Sequence, residues 1–356
     1  MTAVEPDTEG FPFPLVRDAY RYTANLSPVL VSGDGGTVLN AGREYEEFVA
    51  ERARVLARVP DMLVRAPHLL PAEWDTLLFL MRRLTAERPA DFGLRTAEGR
   101  TEEGHAEPEH AEAGRADAGR GGAGRFGHGE RVRWENRRLG MSLEFTIGDE
   151  DSLPCGPLEY IGRQVMEDLV LLDTRDGHLR ADAGLVSFAS SWSFPFVAGM
   201  AFQEIHTVVP RAMGVFERAE AFLLRLPPGD VYQRVNWTFQ PGRVLDRSMD
   251  SHARWKPDAE RFLRRVREGD VGDAEFGAHV RLRVEVQHLV ALETSGAVLF
   301  LIDTRFLRLA DLARIPEWAR RTVAVLEELP GDMASYKGLT DLRPRILAYL
   351  DEAPRA

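Results

Sequence analysis

Hydrophobic residues recur at helical spacing near the start of the chain and at strand spacing after residue 131. Arg43–Val59 and Pro71–Glu87 carry apolar residues three and four positions apart. A proline, Pro60 or Pro89, then follows each segment and cannot continue a helix. The pattern therefore predicts two helices, and we expect both to pack on the rest of the protein.

Segments in which apolar and polar residues alternate, or apolar residues run together, predict β-strands in the second part of the chain. These are Met141–Ile147, Asp168–Leu172, Leu185–Ser190, Val231–Phe239, Arg281–Leu289 and Ala297–Ile302. Helical patterns cover Gly156–Met166, Arg211–Leu226, Asp258–Val266, Leu309–Leu329 and Leu342–Leu350. Because strands and helices seldom alternate one by one, we predict an α+β fold with a mostly antiparallel sheet and helices on one side of it.

The composition changes sharply between Glu98 and Glu130. Gly, Ala, Glu, Arg and His repeat there with almost no apolar residues, so the segment cannot bury enough surface to order itself. We predict three parts: an N-terminal helical segment (1–97) that packs on the main domain, a flexible insertion (98–130) and the main domain (131–356).

Composition and charge exclude several classes of partner and chemistry. The formal net charge is −11, and basic residues are interleaved with acidic ones, so we expect no binding to nucleic acid or to a membrane. The single cysteine, Cys155, excludes an intrachain disulfide and a CxxC pair. The N-terminus lacks the features of a signal peptide, and no apolar run reaches the roughly 20 residues of a membrane span, so we expect a cytoplasmic protein.

Two alternating strands carry dense polar faces. One face comprises Tyr232, Arg234, Asn236 and Thr238, and the other comprises Arg281, Arg283, Glu285 and Gln287. Such faces are often simply exposed to water, as in many antiparallel sheets. The alternative is that they converge on a polar pocket, where arginine and glutamate would fix a substrate through charge-assisted hydrogen bonds.

His206 is the main candidate ligand for a cofactor. It lies in the run Ile205–Pro210, which follows the aromatic and small-polar turn Phe188–Phe196. A single histidine with apolar neighbours is most often a core residue. A neutral imidazole in an apolar, aromatic-rich setting is also what axial ligation of heme iron requires, and the pattern leaves both interpretations open.

A series of short motifs follows in a definite order after residue 131. They are Glu167-Asp168-Leu169, Ser190-Ser191-Trp192, Ile205–Pro210, Arg234-Val235-Asn236-Trp237, Arg283-Val284-Glu285-Val286-Gln287 and Tyr336-Lys337-Gly338-Leu339. In this order they resemble the family of the heme-dependent oxidative N-demethylase alpha subunit. The chain departs from that family at Leu292–Gly296 and Phe194–Val197, which replace a Leu-Pro-x-Ser hairpin and a more polar run with a lysine.

The resemblance implies a PAS-like, mostly antiparallel sheet flanked by helices, with a b-type heme whose iron is bound by His206. Carried over by position, the residues around the heme would be His206, Trp192, Ser191, Arg234 and Asn236. The residues of the catalytic pocket would be Arg283, Glu285 and Gln287. The substrate would be a small amine or an amino acid, oxidised with dioxygen or peroxide. Because no GxGxxG motif or other nicotinamide or flavin signature is present, electrons would come from a separate reductase.

The function predicted from this resemblance is heme-dependent monooxygenation of an amine or guanidine at or next to nitrogen. A vaguer similarity to heme-dependent L-arginine N-hydroxylases of antibiotic biosynthesis favours N-hydroxylation. There Glu285 would meet the guanidinium, and Arg283 or Arg234 would meet the α-carboxylate. The alternatives are oxidative N-demethylation of a secondary amine, a non-catalytic PAS-like heme sensor, and a protein without heme in which His206 belongs to the core.

Overall fold

The computed structural model describes residue 8 and residues 10–29, 36–97 and 126–352. The strands are β1 (Ser27–Pro28), β2 (Leu63–Val64), β3 (Phe92–Thr96), β4 (Arg131–Asn136), β5 (Met141–Thr146), β6 (Asp168–Arg175), β7 (His178–Leu185), β8 (Val231–Pro241), β9 (Val280–Ala291) and β10 (Val298–Arg308). The helices are α1 (Tyr45–Arg58), α2 (Leu70–Glu87), α3 (Pro157–Gly162), α4 (Phe194–Val197), α5 (Phe202–Ile205), α6 (Met213–Leu223), α7 (His252–Glu268), α8 (Asp273–His279), α9 (Leu309–Ala313), α10 (Pro316–Glu328), α11 (Gly331–Tyr336) and α12 (Arg343–Glu352). This arrangement of helices and sheets confirms the α+β class, while the PAS-like architecture stays a prediction.

The main sheet has seven strands in the order β1-β8-β9-β10-β6-β7-β2, and every pair in it is antiparallel. The predicted strand Leu185–Ser190 is wrong, because β7 already ends at Leu185. The cause is Asp168, whose two carboxylate oxygens accept the backbone N–H groups of Ser187 and Phe188 at 2.8 Å each. These two N–H groups therefore do not form hydrogen bonds to a neighbouring strand, and the chain turns away from the sheet.

A second, three-stranded sheet has the order β3-β4-β5. Its first strand belongs to the segment predicted to be helical, so the N-terminal part of the chain contributes a strand that the sequence pattern does not predict. Thr96 pairs with Val132, and the N–H of Ala97 donates to the carbonyl of Arg131 at 2.9 Å. Residues 98–125 of the predicted insertion lie outside the described residues, and Phe126, its next residue, is buried in the core.

Helices cover both faces of the main sheet, which corrects the expectation of helices on one side. Leu169 and Leu171 of β6 pack in one core cluster with residues of α1 and α2. Val170 and Leu172 point the opposite way and pack in another cluster with residues of α6. A third cluster joins β8, β9 and β10 to the C-terminal helices.

Two predicted helices differ from the structure for local reasons. Leu309–Leu329 forms two helices, α9 and α10, because Pro316 begins a new helix at a position where its missing N–H costs nothing. The helix predicted over Asp258–Val266 is longer in the structure, where α7 begins at His252 and continues through Pro257 to Glu268. Within the described part of the chain, none of the helices has the length and apolar character needed to cross a membrane.

Candidate functional site

The predicted polar faces of β8 and β9 lie side by side. In the antiparallel register Arg234 is opposite Gln287, Asn236 is opposite Glu285, and Thr238 is opposite Arg283. Side chains of directly opposed residues project from the same face of a sheet and contact one another. The pairing therefore brings Arg234, Asn236, Glu285 and Gln287 together, and we call these four residues the polar wall.

Glu285 is the centre of the polar wall. Its Oε2 accepts hydrogen bonds from the side-chain amides of Gln287 at 3.1 Å and Asn236 at 3.3 Å. The Oε1 atom of Gln287 and the Nε atom of Arg234 are buried without a hydrogen-bond partner among the described residues. Buried polar atoms are normally paired in folded proteins. Two unpaired atoms at one place therefore indicate that a bound molecule could supply their missing hydrogen-bond partners.

Arg283 lies on the same face of β9 as Glu285, two residues before it, and is only 1% exposed. Its guanidinium donates to the carbonyls of Leu245, at 3.0 Å, and Phe188, and to the hydroxyl of Thr304 at 3.2 Å. Its Nε lies 3.4 Å from Oε1 of Glu285. With most of its donors engaged by the protein, Arg283 positions Glu285 and the chain after β7 and has little left for a substrate.

Lys337, which follows α11, joins the wall, although the polar strand faces give no indication of it. Its ammonium donates to the carbonyl of Trp237 at 2.7 Å and to Oδ1 of Asn236 at 3.3 Å, and it lies 4.7 Å above the Trp237 ring. Burial lowers its pKa to about 8, an effect that Glu285 opposes and Arg234 reinforces. Two signals in the sequence could have found it: it belongs to the motif Tyr336-Lys337-Gly338-Leu339, and Lys256 is the one other lysine in the sequence.

His206 lies directly after α5 with its ring between two aromatic side chains. The ring stacks on Phe216 with centroids 4.0 Å apart and contacts Phe202 at 4.5 Å. Its Nδ1 is 2.6 Å from the carbonyl of Phe202, and a carbonyl accepts only from the protonated nitrogen. Nε2 therefore carries the lone pair, and it makes no hydrogen bond to any residue that the structure describes.

Burial keeps the His206 imidazole neutral. It lowers the pKa of this group to about 4, against a smaller opposite effect of the Phe202 carbonyl, and Arg234 lowers it further. A chain of contacts joins His206 to the polar wall: its ring stacks on Phe216, Phe216 meets Tyr22 edge to face at 6.1 Å, and Tyr22 contacts Arg234. A neutral imidazole with its tautomer fixed by a backbone carbonyl is the form that binds iron, so this residue fits a heme ligand.

The turn after β7 borders the same apolar cluster as the helix that precedes His206. Ser191 is exposed, adopts a left-handed backbone with φ of 64°, and donates its N–H to the carbonyl of Arg247. Trp192 is half-buried and meets Phe194 edge to face. Trp192 and Phe202 border the same apolar cluster, which also contacts Phe300 of β10. The helix before His206 and this turn thus share one apolar side of the sheet, as a flat hydrophobic cofactor requires.

The polar wall and its neighbours carry an excess of positive charge. Arg234 and Lys337 both lie in the field of the Glu285 carboxylate, whereas Arg283 lies in the field of Asp168 and Asp246 as well as that of Glu285. Tyr22 contacts Arg234, and burial raises the pKa of its hydroxyl, so it adds no negative charge. Such a site suits an anionic group, either a heme propionate or a substrate carboxylate.

One comparison with known proteins bears on the whole of this region. A family model described as "Haem-dependent oxidative N-demethylase, alpha subunit-like" matches residues 123–347, well over half of the chain. The matched part contains His206, the polar wall and Lys337. The match confirms the resemblance that the ordered motifs indicate.

Proposed function

The chain belongs to the family of heme-dependent oxidative N-demethylase alpha subunit-like proteins, and from this premise we propose that it is a heme-dependent monooxygenase of small amines or guanidines. The family description supports heme-dependent oxidation. The b-type heme, its ligation by His206 and oxidation at or next to nitrogen are our proposal. The observation that carries it is the half-buried, neutral imidazole of His206, with its lone pair fixed on Nε2.

Bound heme would supply iron able to activate dioxygen or peroxide, with electrons from a separate reductase when dioxygen is used. The chain's own residues would do the rest. The Phe202 carbonyl holds the proton on Nδ1 of His206, which leaves Nε2 for iron. The apolar side chains near Trp192 and Phe300 keep water from the site.

The charges of the polar wall support an amino-acid substrate. Arg234 and Lys337 would hold its carboxylate, because both are half-buried cations and Arg234 lies close enough to act electrostatically on Lys337. Glu285 would accept a hydrogen bond from the nitrogen to be oxidised, with Asn236 and Gln287 fixing the carboxylate's position. Holding both ends of the substrate limits its orientation relative to the iron, which is where the rate would be gained.

The cofactor proposal is tested by absorbance in the Soret region after expression with added heme precursor. His206→Ala is expected to lose bound heme. His288→Ala is the matched control, because burial lowers the pKa of His288 to about 4 as well, and among the described residues its side chain bonds to Gln233 alone. Its heme content is expected to be unchanged. A full complement of heme in His206→Ala would overturn the proposed ligation.

The reaction is tested on the heme-loaded protein with L-arginine, other amino acids and N-methylated amines, together with a reductase system or peroxide. N-hydroxylation adds one oxygen atom to the substrate, whereas N-demethylation releases formaldehyde, and mass spectrometry with a formaldehyde assay separates the two. If no amine changes the heme spectrum or is consumed while diatomic gases bind tightly, the protein is a heme sensor and the enzymatic proposal fails.

A further inference from the structure

Three potential metal ligands meet at the junction of the N-terminal helices and the main sheet. His68 lies in a short 3-10 turn just before α2, Asp173 lies on β6, and Asp182 lies on β7. One ligand atom from each lies within 4.8 Å of the others. None of these residues belongs to the polar wall or contacts His206.

The Asp182 carboxylate is held in an unusual position. Leu171 pairs with Ala183 and Leu172 pairs with Ala181, so Asp182 is the extra residue of a β-bulge, a feature that redirects a side chain. Its side chain is 4% exposed, and its Oδ2 atom is buried without a hydrogen-bond partner among the described residues. A buried carboxylate oxygen without a hydrogen bond is costly, which indicates that a cation could lie beside it.

Arg175 accounts for only part of this charge. Its NH2 group lies 2.6 Å from Oδ1 of Asp182, and its Nε lies 3.9 Å from Oδ2 of Asp173. One guanidinium therefore faces two carboxylates, and Oδ2 of Asp182 is turned toward His68 instead. The two carboxylates therefore carry more negative charge than Arg175 neutralises, and the Asp182 oxygen that Arg175 does not contact faces the His68 imidazole.

The spacing of the ligand atoms fits a metal better than an ion pair. Nε2 of His68 is 3.4 Å from Oδ2 of Asp182 and 3.7 Å from Oδ2 of Asp173. A protonated imidazole would approach one carboxylate to about 2.8 Å. Two ligands of a tetrahedral zinc ion lie about 3.4 Å apart, since each metal–ligand bond is about 2.0–2.2 Å.

We propose that His68, Asp173 and Asp182 form a divalent cation site that takes Zn²⁺, with water completing the coordination. One imidazole with two carboxylates is a donor set that zinc accepts, whereas Mg²⁺ and Ca²⁺ prefer oxygen ligands alone. The site joins the turn before α2 to the β6–β7 hairpin. Its role is to fasten the N-terminal helices to the main sheet.

The test is zinc binding by the heme-loaded, untagged protein after treatment with a chelator, followed by calorimetry. The full-length protein is expected to bind Zn²⁺ stoichiometrically and to unfold at a higher temperature with zinc than without it. His68→Ala and Asp173→Asn are expected to lose both effects, and both positions are exposed enough for the variants to fold. The control is His178→Ala, which removes an exposed histidine near another carboxylate, Glu220, and is expected to keep both effects.

Two results would overturn the site. One is zinc binding in His68→Ala equal to that of the unmodified protein. The other is no zinc binding by the unmodified protein, with His68→Ala lowering its stability in the presence of chelator, which would show that His68 only forms an ion pair. Asp182→Asn adds a third readout. If this variant loses zinc binding but keeps its heme content, the protein is folded and the loss is due to the missing metal ligand.

Discussion

At the scale of single residues, the candidate site depends on which groups are charged near neutral pH. Burial lowers the pKa of His206 to about 4, against 6.5 for an ordinary histidine. The neutral imidazole is the form that can bind iron, whereas a proton on Nε2 would occupy the same lone pair. The same burial that makes His206 a possible ligand makes it a source of acid sensitivity.

We predict that the heme-free protein loses stability as the pH falls from about 6.5 to about 4 because of His206. The folded pKa lies below the unfolded value, so the contribution is complete above 6.5 and is lost as the pH falls through 4. In that window the unfolded chain binds a proton that the folded chain does not. Urea denaturation across this pH range measures the effect, and His206→Gln is expected to show a shallower decline. Equal slopes in the two proteins would contradict the prediction.

Lys337 carries a second prediction at this scale. Lys337→Met is expected to weaken binding of an amino-acid substrate by about tenfold or more, since a hydrogen bond to a charged group contributes about 1.5–3 kcal/mol. In the unmodified protein the affinity should also fall as the pH rises through about 8, where the ammonium loses its proton. Titration of the heme spectrum with substrate measures both effects.

Lys256→Met is the matched control for Lys337, because Lys256 is exposed and pairs only with Glu260 along α7. Its substrate affinity and pH profile are expected to equal those of the unmodified protein. If Lys337→Met binds the substrate as tightly as the unmodified protein, and its affinity falls in the same way above pH 8, Lys337 does not bind the substrate.

At the scale of elements, the turn after β7 is held by buried charges. Asp168 accepts the N–H groups of Ser187 and Phe188, and Arg283 donates to the carbonyl of Phe188. Arg52, itself fully buried, pairs with Asp168 at 3.1 Å. The chain that leads into the Ser191–Trp192 turn thus depends on charges that lie on β6, β9 and α1.

We predict that Arg283→Met destabilises the protein by about 3–5 kcal/mol, because it leaves buried carbonyls unpaired and Glu285 without its neighbouring cation. Heme content should fall with it, since the turn loses one of its supports. Arg281→Met is the control on the same strand, where the arginine is half-buried and donates to nearby backbone carbonyls of its own segment. Chemical denaturation compares the two variants. Equal stability would show that Arg283 does not support the turn.

The sequence predicts these elements unequally, and for physical reasons. Alternation over the middle of β8 and β9 predicts both strands and their polar faces, although each strand extends beyond its predicted bounds, to Pro241 in β8 and over Val280–Ala291 in β9. Their register does not, because no local signal states that Asn236 lies opposite Glu285. The pattern misses β7, where the bulge at Asp182 interrupts alternation. It also misses Lys337, which tertiary packing alone brings against Asn236.

At the scale of the whole molecule, the N-terminal segment is part of the main fold. It contributes β1 to one edge of the large sheet and β2 to the other, and β3 to the small sheet. Phe13 stacks on Trp318 of α10, and Tyr22 lies beside Arg234 of the polar wall. Long-range contacts of this kind join residues that are hundreds of positions apart in the sequence, so composition and periodicity alone cannot predict them.

The small sheet allows the role of the Gly-rich segment to be tested on the intact protein. The N–H of Ala97 donates to the carbonyl of Arg131, so residues 97 and 131 lie in adjacent antiparallel strands. We predict that replacing residues 98–125 with a linker of about six Gly and Ser residues raises the free energy of unfolding by no more than about 1.5 kcal/mol. The reason is that loop-closure entropy varies slowly with loop length. Heme content should also be unchanged.

Unlike the replacement of residues 98–125, a change at Phe126 is expected to destabilise the protein. This phenylalanine is 7% exposed and packs in the core cluster that contains residues of α2 and β4, so Phe126→Ala is expected to cost about 3–5 kcal/mol. Urea denaturation of the linker variant and of Phe126→Ala separates the two parts of the segment. If the linker variant loses as much stability as Phe126→Ala, residues 98–125 contribute contacts to the fold, and a tether between β3 and β4 is not their only role.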